Sequence, residues 1–190
     1  LFAGRTRSDA IFLILEDGTR LSHAAFHALV LRMARALVAA GLRPGDRLAM
    51  QLDKSPAMLA LVVAAIRQGI VFLPLNTAYT PAEVAYFVTD AEASLLVCDP
   101  PRTAALAGLA PRVLTLGGDG QGSLVAGSEG AAEPPPADRA AEDLAALLYT
   151  SGTTGRSKGA MLSQRNLLSN AQVLVDVWQF TGRDVLLHAL

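Results

Sequence analysis

Tyr149-Thr150-Ser151-Gly152-Thr153-Thr154-Gly155-Arg156-Ser157-Lys158-Gly159 is small, hydroxylated, rich in glycine and closed by one lysine. An apolar run, Leu144 to Leu148, leads into it, and a second, Ala160 to Leu162, leads out. A polar loop between two segments expected to be buried must present its backbone at a defined place. Gly152, Gly155 and Gly159 permit positive φ and a close approach of backbone to a ligand. Successive N–H groups in such a turn form a concavity for anions. The hydroxyls of Thr150, Ser151, Thr153 and Thr154 add neutral donors, and Lys158 adds a point charge suited to phosphate. The stretch is expected to hold the phosphates of a nucleotide. Segments rich in glycine, serine and threonine are more often linkers or surface turns. The apolar flanks and the lysine at the loop's end argue against a free linker. The spacing is neither Gly-x-x-x-x-Gly-Lys-Ser/Thr nor Gly-x-Gly-x-x-Gly, so it matches neither the standard P-loop nor the dinucleotide fingerprint.

Upstream, strand and helix patterns alternate. Ile11 to Leu15 reads as a strand, Asp17-Gly18 as a turn, and Arg20-Leu21 as the start of a return strand. Ser22 caps a predicted helix to about Ala40, with Phe26, Leu29, Met33 and Leu37 on its core face. His23 and His27 stand at i, i+4, a spacing that can ligate a metal. No third ligand is apparent, and such pairs are usually solvated face residues. Arg47 to Leu52 is the next strand, and Ser55-Pro56 opens a helix to Gln68 that is apolar almost all round. A short strand, Val71 to Leu73, precedes Thr80-Pro81-Ala82-Glu83, a capping box that starts a helix to about Ala91. Leu95 to Cys98 is a buried strand, Thr103 to Leu109 a weak helix and Arg112 to Leu116 a further strand. This rhythm predicts an α/β fold with a mostly parallel sheet flanked by helices.

From Gly117 to Ala141 the hydrophobic period is lost among glycines and Pro134-Pro135-Pro136. The segment is expected to be a surface connection within one domain, since the apolar run at Leu144 needs a core to join. After the glycine-rich loop, Ser163 is an N-cap candidate for a helix over Asn166 to Phe180, with Leu167, Ala171, Leu174 and Trp178 at helical spacing. Val185 to Leu190 is expected to begin another strand, in which His188 is a packed residue.

With 190 residues, 52% hydrophobic and 17% charged, the chain is long enough for one sizeable core. A net charge of −1 leaves no electrostatic footprint for nucleic acid or an anionic membrane. One cysteine, Cys98, excludes an internal disulfide and a cysteine-based metal site. The longest apolar run, Ala57 to Ile66, is about half the length that spans a bilayer. Arg5, Arg7 and Asp9 interrupt any signal peptide at the start. The chain opens on Leu1 and stops at Leu190 inside an apolar run, so it is expected to be part of a longer protein.

The loop with its flanks, Leu148 to Ala160 and on through Ser163 to Leu167, resembles the phosphate-loop signature of the AMP-binding, adenylate-forming enzymes. That superfamily includes acyl-CoA synthetases, peptide-synthetase adenylation domains and luciferases. Ser157 stands where family sequences often have proline before the lysine. Further segments are most similar to malonyl-CoA synthetases: Gly41 to Leu48, Leu73 to Tyr79, Tyr86-Phe87 with Asp90-Ala91-Glu92, and Val97 to Pro100. The Arg156-Ser157-Lys158 variant, Phe180-Thr181 with Asp184-Val185, and His188-Ala189-Leu190 point the same way.

The resemblance implies that residues 1–190 are part of the N-terminal AMP-binding domain, with 117–141 as a surface linker and no C-terminal domain. It implies an ATP-dependent acid–thiol ligase that activates a small carboxylate, malonate first among candidates, as an acyl-adenylate and passes it to coenzyme A. Thr150, Ser151, Gly152, Thr153, Thr154, Gly155 and Lys158 would then hold the ATP phosphates. Mg2+ would accompany ATP, with ligands mostly outside the chain. No catalytic residue and no metal ligand is assigned within it. The piece alone is expected to be inactive, and the location is expected to be the cytoplasm. The pattern specifies no oligomeric state. Two alternatives stay open: a synthetase for another acid or a peptide-synthetase adenylation domain, and a non-catalytic nucleotide-binding module.

Overall fold

The computed structural model describes residues 8–150 and 157–187. A small antiparallel ribbon, β1 (Ile11–Ile14) and β2 (Arg20–Ser22), leads into α1 (His23–Ala39). Ser22 ends the ribbon and caps the helix, its Oγ accepting from the Ala25 N–H at 3.1 Å. Gly41, at φ +81°, turns the chain out of α1. β3 (Arg47–Gln51), α2 (Pro56–Arg67) and β4 (Val71–Pro74) follow as a βαβ unit, with Ser55 capping α2 ahead of its first-turn proline. Next come α3 (Pro81–Asp90), β5 (Leu95–Cys98), a 3-10 turn at Pro100–Arg102, α4 (Thr103–Leu106) and β6 (Val113–Thr115). α5 (Ser123–Ala126), β7 (Leu144–Thr150), β8 (Lys158–Ser163) and α6 (Gln164–Trp178) complete the order.

The six-stranded sheet runs β6-β5-β3-β4-β7-β8. Its first five strands are parallel, and β8 returns antiparallel along β7 at the edge. The period-2 alternation of a strand puts successive side chains on opposite faces, so both faces of the sheet are covered. Leu48, Met50, Phe72, Leu95, Val97 and Ala146 pack with α1 and α2 on one side. Ala49, Val71, Leu73, Leu96, Cys98 and Leu147 pack with α3 on the other. Each fully buried leucine among them contributes on the order of 2 kcal/mol by leaving water.

α3 is fixed at both ends. Thr80 Oγ1 accepts from the Glu83 N–H, and the Glu83 carboxylate accepts from the Thr80 N–H at 2.8 Å, the reciprocal capping box predicted from the sequence. At the far end Arg47 donates to the Ala91 carbonyl at 2.8 Å and pairs with Glu92. The hydrogen bonds from Thr80 hold the Glu83 carboxyl below its ordinary value. A carboxyl depressed in the fold stabilises it above the unfolded value, and that contribution fades as pH falls through the folded one. Glu83→Ala is therefore expected to lower the thermal midpoint most near neutrality, with the gap to wild type shrinking toward acid. A gap that widens toward acid in melts across pH would contradict this cap.

Three segments differ from the sequence expectation. Within 117–141, α5 forms and buries Leu124 and Val125 against the α1 side of the core. A four-residue helix is too short to print a period. The rest of that segment is also tethered: Arg67 donates to Glu133 and to the Pro134 carbonyl, and the Ala137 N–H donates to the Arg67 carbonyl. Second, the run Ala160 to Leu162 lies on an edge strand, where Met161 is 70% exposed and only Leu162 turns toward the core. Third, α6 begins at Gln164 and carries no buried residue, although Leu167 touches the core. Residues 185–187 are not in a strand, and His188 lies outside the described residues.

Candidate phosphate-binding hairpin

β7 and β8 form a hairpin whose last pair is Thr150 opposite Lys158. Both are exposed. β7 runs parallel to β4, so the hairpin neck rises at the carboxyl edge of the parallel strands, the usual side for ligands in such sheets. The loop it carries contains Ser151, Gly152, Thr153, Thr154 and Gly155, which lie outside the described residues. Of the residues expected to hold phosphate, the structure therefore places Thr150 and Lys158, and it places them side by side across the neck. Lys158 makes no ion pair with any described residue.

The neck rests on α3. Tyr149, one residue before Thr150, lies over Phe87 with ring centroids 4.7 Å apart and edge-on to Tyr86 at 6.4 Å. Its hydroxyl donates to Asp90 Oδ2 at 2.5 Å. Burial first, and then the bond to Asp90, push that phenol above its ordinary value, so it stays the proton donor. On the other strand, the Tyr86 hydroxyl donates to the Ser157 carbonyl at 3.0 Å, directly before Lys158. Gly159 stands opposite Tyr149, and a Cβ there would sit 3.2 Å from the tyrosine ring. Gly159 has no positive φ. It serves ring packing, not the turn or ligand approach expected of it from sequence.

Loops at the same carboxyl edge are pinned by buried and half-buried polar groups. Gln51, 1% exposed at the end of β3, donates from Nε2 to the carbonyls of Asn76 and Tyr79 at 2.9 and 3.1 Å. Arg102 donates to the Thr77 carbonyl at 2.7 Å. Asp99 accepts from the Asp53 N–H at 2.9 Å, and burial raises its carboxyl above the ordinary value. Tyr79 in turn packs on Phe87, 5.0 Å between centroids, so the 75–80 loop and the hairpin neck share one aromatic support.

Among the described residues no group of three or more His, Cys, Asp or Glu is placed to hold a metal ion. His23 packs its ring on Phe12 at 4.9 Å. Tyr86 and Asp90 hold the neck, a contact that sequence reasoning did not assign to them. They stand at i, i+4 on α3 beside its buried Val84, Phe87 and Val88, which marks a polar pair next to a core stripe but not its target.

The family model of the AMP-binding enzyme matches residues 2–190 of the sequence, the hairpin included. The chain belongs to the AMP-binding enzyme family. Among solved members of related structure, ATP-bound MatB from Rhodopseudomonas palustris is 50% identical with a TM-score of 0.92, covering 100% of this chain and 39% of that one. A feruloyl-CoA synthase of an Amycolatopsis species is 40% identical over 165 residues, 86% of this chain and 32% of its own. An oxalate–CoA ligase of Arabidopsis thaliana is 31% identical over 174 residues, 86% of this chain and 34% of its own. The chain thus spans about a third of the length of these AMP-binding relatives.

Proposed function

We propose that these 190 residues form the first part of an ATP-dependent acid–thiol ligase. The observation that carries this is the hairpin: a Thr150–Lys158 neck at the carboxyl edge of a parallel sheet, in a chain matched throughout by the AMP-binding enzyme model. In the proposed reaction a carboxylate oxygen attacks the α-phosphorus of ATP, the bond to the β-phosphate bridge breaks, and pyrophosphate leaves. The CoA thiol then attacks the acyl carbon, loses its proton and displaces AMP. Mg2+ would neutralise phosphate charge when bound, with ligands from other parts of the protein. Residues of this chain would bind and orient. Thr150, Ser151, Thr153, Thr154 and Lys158 take the β- and γ-phosphates, where negative charge grows as pyrophosphate departs, and Gly152 and Gly155 let the backbone approach.

Malonate is the proposed acid. Support comes from the segments similar to malonyl-CoA synthetases, Gly41 to Leu48, Leu73 to Tyr79, Tyr86-Phe87 with Asp90-Ala91-Glu92, and Val97 to Pro100. The feruloyl-CoA synthase likeness favours an aromatic acid as the second reading. Acid-dependent ATP–pyrophosphate exchange by the full-length protein separates them. Malonate is expected to support exchange at least tenfold better than acetate, oxalate, ferulate or amino acids. Exchange with ferulate alone would replace malonate and keep the ligase. No exchange with any acid would favour a non-catalytic nucleotide-binding module. A cytoplasmic location is proposed on the CoA-dependent reaction, and no helix among the described residues is long and apolar enough to cross a membrane.

A further inference from the structure

We propose that Tyr86 and Asp90 are positioning residues that clamp both strands of the hairpin neck and so fix Lys158 for ATP; this rests on the ligase reading above. The two lie one helical turn apart on α3 and face the same way. Tyr86 grips the outgoing strand through the Ser157 carbonyl, at 3.0 Å. Asp90 grips the incoming strand through the Tyr149 hydroxyl, at 2.5 Å. The two grips straddle the neck, because Tyr149 pairs with Gly159 and Ser157 precedes Lys158.

The helix that supplies both is a stiff platform. Its capping box fixes the start, Arg47 fixes the end, and Phe87, 3% exposed, anchors the middle under Tyr149. β8 needs such help. Among the described residues it is an edge strand, with four exposed residues from Lys158 to Met161 and no strand beyond it. Its Lys158 end is held by β7 and, through the Ser157 carbonyl, by Tyr86, while Asp90 holds β7 itself. A neck fixed at one strand alone could still pivot about the other. Gripping both leaves Lys158 one backbone course, which is what a charge placed against a phosphate requires.

The geometry also says what removing each grip does to folding. Asp90 is exposed, so losing the Tyr149 hydroxyl returns a carboxylate to water. Ser157 is half-buried. Tyr86→Phe and Tyr149→Phe keep the rings that pack on Phe87. Neither variant is therefore expected to shift the thermal midpoint of the full-length protein by more than about 2 °C. Each is expected to raise the KM for ATP about fivefold in pyrophosphate exchange, the worth of one net hydrogen bond, with the KM for the carboxylate unmoved. The double variant is expected to exceed either single variant but to stay below roughly 25-fold, since the two rings touch and share Phe87, and residues in contact couple. Asp90→Asn, which keeps an acceptor, is expected to stay within about twofold of wild type, whereas Asp90→Leu matches Tyr149→Phe. A fall in kcat at constant KM for ATP, tracking lost folded protein, would make the contacts merely structural and overturn the clamp. Wild-type exchange with unchanged ATP kinetics in Tyr86→Phe and Tyr149→Phe would overturn the clamp and leave the ligase standing. Wild-type protein without exchange would overturn both.

Discussion

Lys158→Ala is expected to lower kcat/KM for ATP in adenylation by about 10²-fold, with the thermal midpoint unchanged. Lys158 is the first residue of β8, exposed, paired with Thr150 and engaged in no ion pair with a described residue. Its side chain therefore does little for the fold, since exposed, unpaired charges contribute little stability. Lys158 stands instead at the carboxyl edge of the parallel strands, where the hairpin loop begins. There it would meet the pyrophosphate end of ATP as negative charge accumulates. Removing one fixed donor from such a site typically costs two to three orders of magnitude in rate, close to 3 kcal/mol of transition-state stabilisation. Lys158→Arg is expected to recover only part of this, because a planar guanidinium does not reproduce a compact ammonium. Circular dichroism melts and exchange kinetics on the same preparation check both halves. Equal losses of stability and activity would remove the phosphate role from Lys158.

The opposite pattern is expected for Gly122→Ala. Gly122 has φ +145°, and a Cβ there would lie 2.3 Å from the Thr115 carbonyl oxygen and 2.7 Å from its carbon. Backbone cannot yield to this as a flexible side chain would. The contact is also held from both sides, since Thr115 N–H donates to Ser123 Oγ and Ser123 N–H donates to Thr115 Oγ1, each at 2.9 Å. Relieving the clash means breaking that pair and lifting α5, with buried Leu124 and Val125, off the core. Strain and overpacking together cost roughly 3 kcal/mol or more. The thermal midpoint is expected to fall by about 10 °C, while the KM for ATP of the protein that remains folded stays at its wild-type value. Gly127→Ala is the control, because a Cβ there meets nothing within 4 Å and its φ is not positive. If both glycine variants melted alike, the anchoring of α5 through Gly122 would be wrong.

The contrast between these two sites follows what a sequence can and cannot carry. Caps are local, and Ser22, Ser55, Thr80 and Ser163 all hold the helices that they appear to start. Buried parallel strands write themselves as short apolar runs, and Leu95 to Cys98 is buried at every position. Two apolar runs flanking one loop were legible too, but not that they pair as an antiparallel hairpin at the sheet's edge. What failed was nonlocal. The run Ala160 to Leu162 looks like a core strand, yet an edge strand buries only what faces a neighbour, and Met161 faces no described one. Leu174 and Trp178 sit at helical spacing on α6 and remain exposed, because no described element packs over them. Tyr86 and Asp90 act on residues 71 and 59 positions away, a distance at which no periodicity operates. Gly159 was misassigned for a related reason, since its partner is a ring on the facing strand and not its own turn.

Amide hydrogen exchange of the 149–160 peptide in the full-length protein, with and without ATP, tests most directly whether this hairpin holds the phosphates. Bound phosphates should engage backbone N–H groups of the loop. Exchange across 151–158 is therefore expected to slow as ATP saturates, and to slow far less in Lys158→Ala at the same ATP concentration. Unchanged exchange in this peptide under conditions where ATP is bound and turned over would contradict the account.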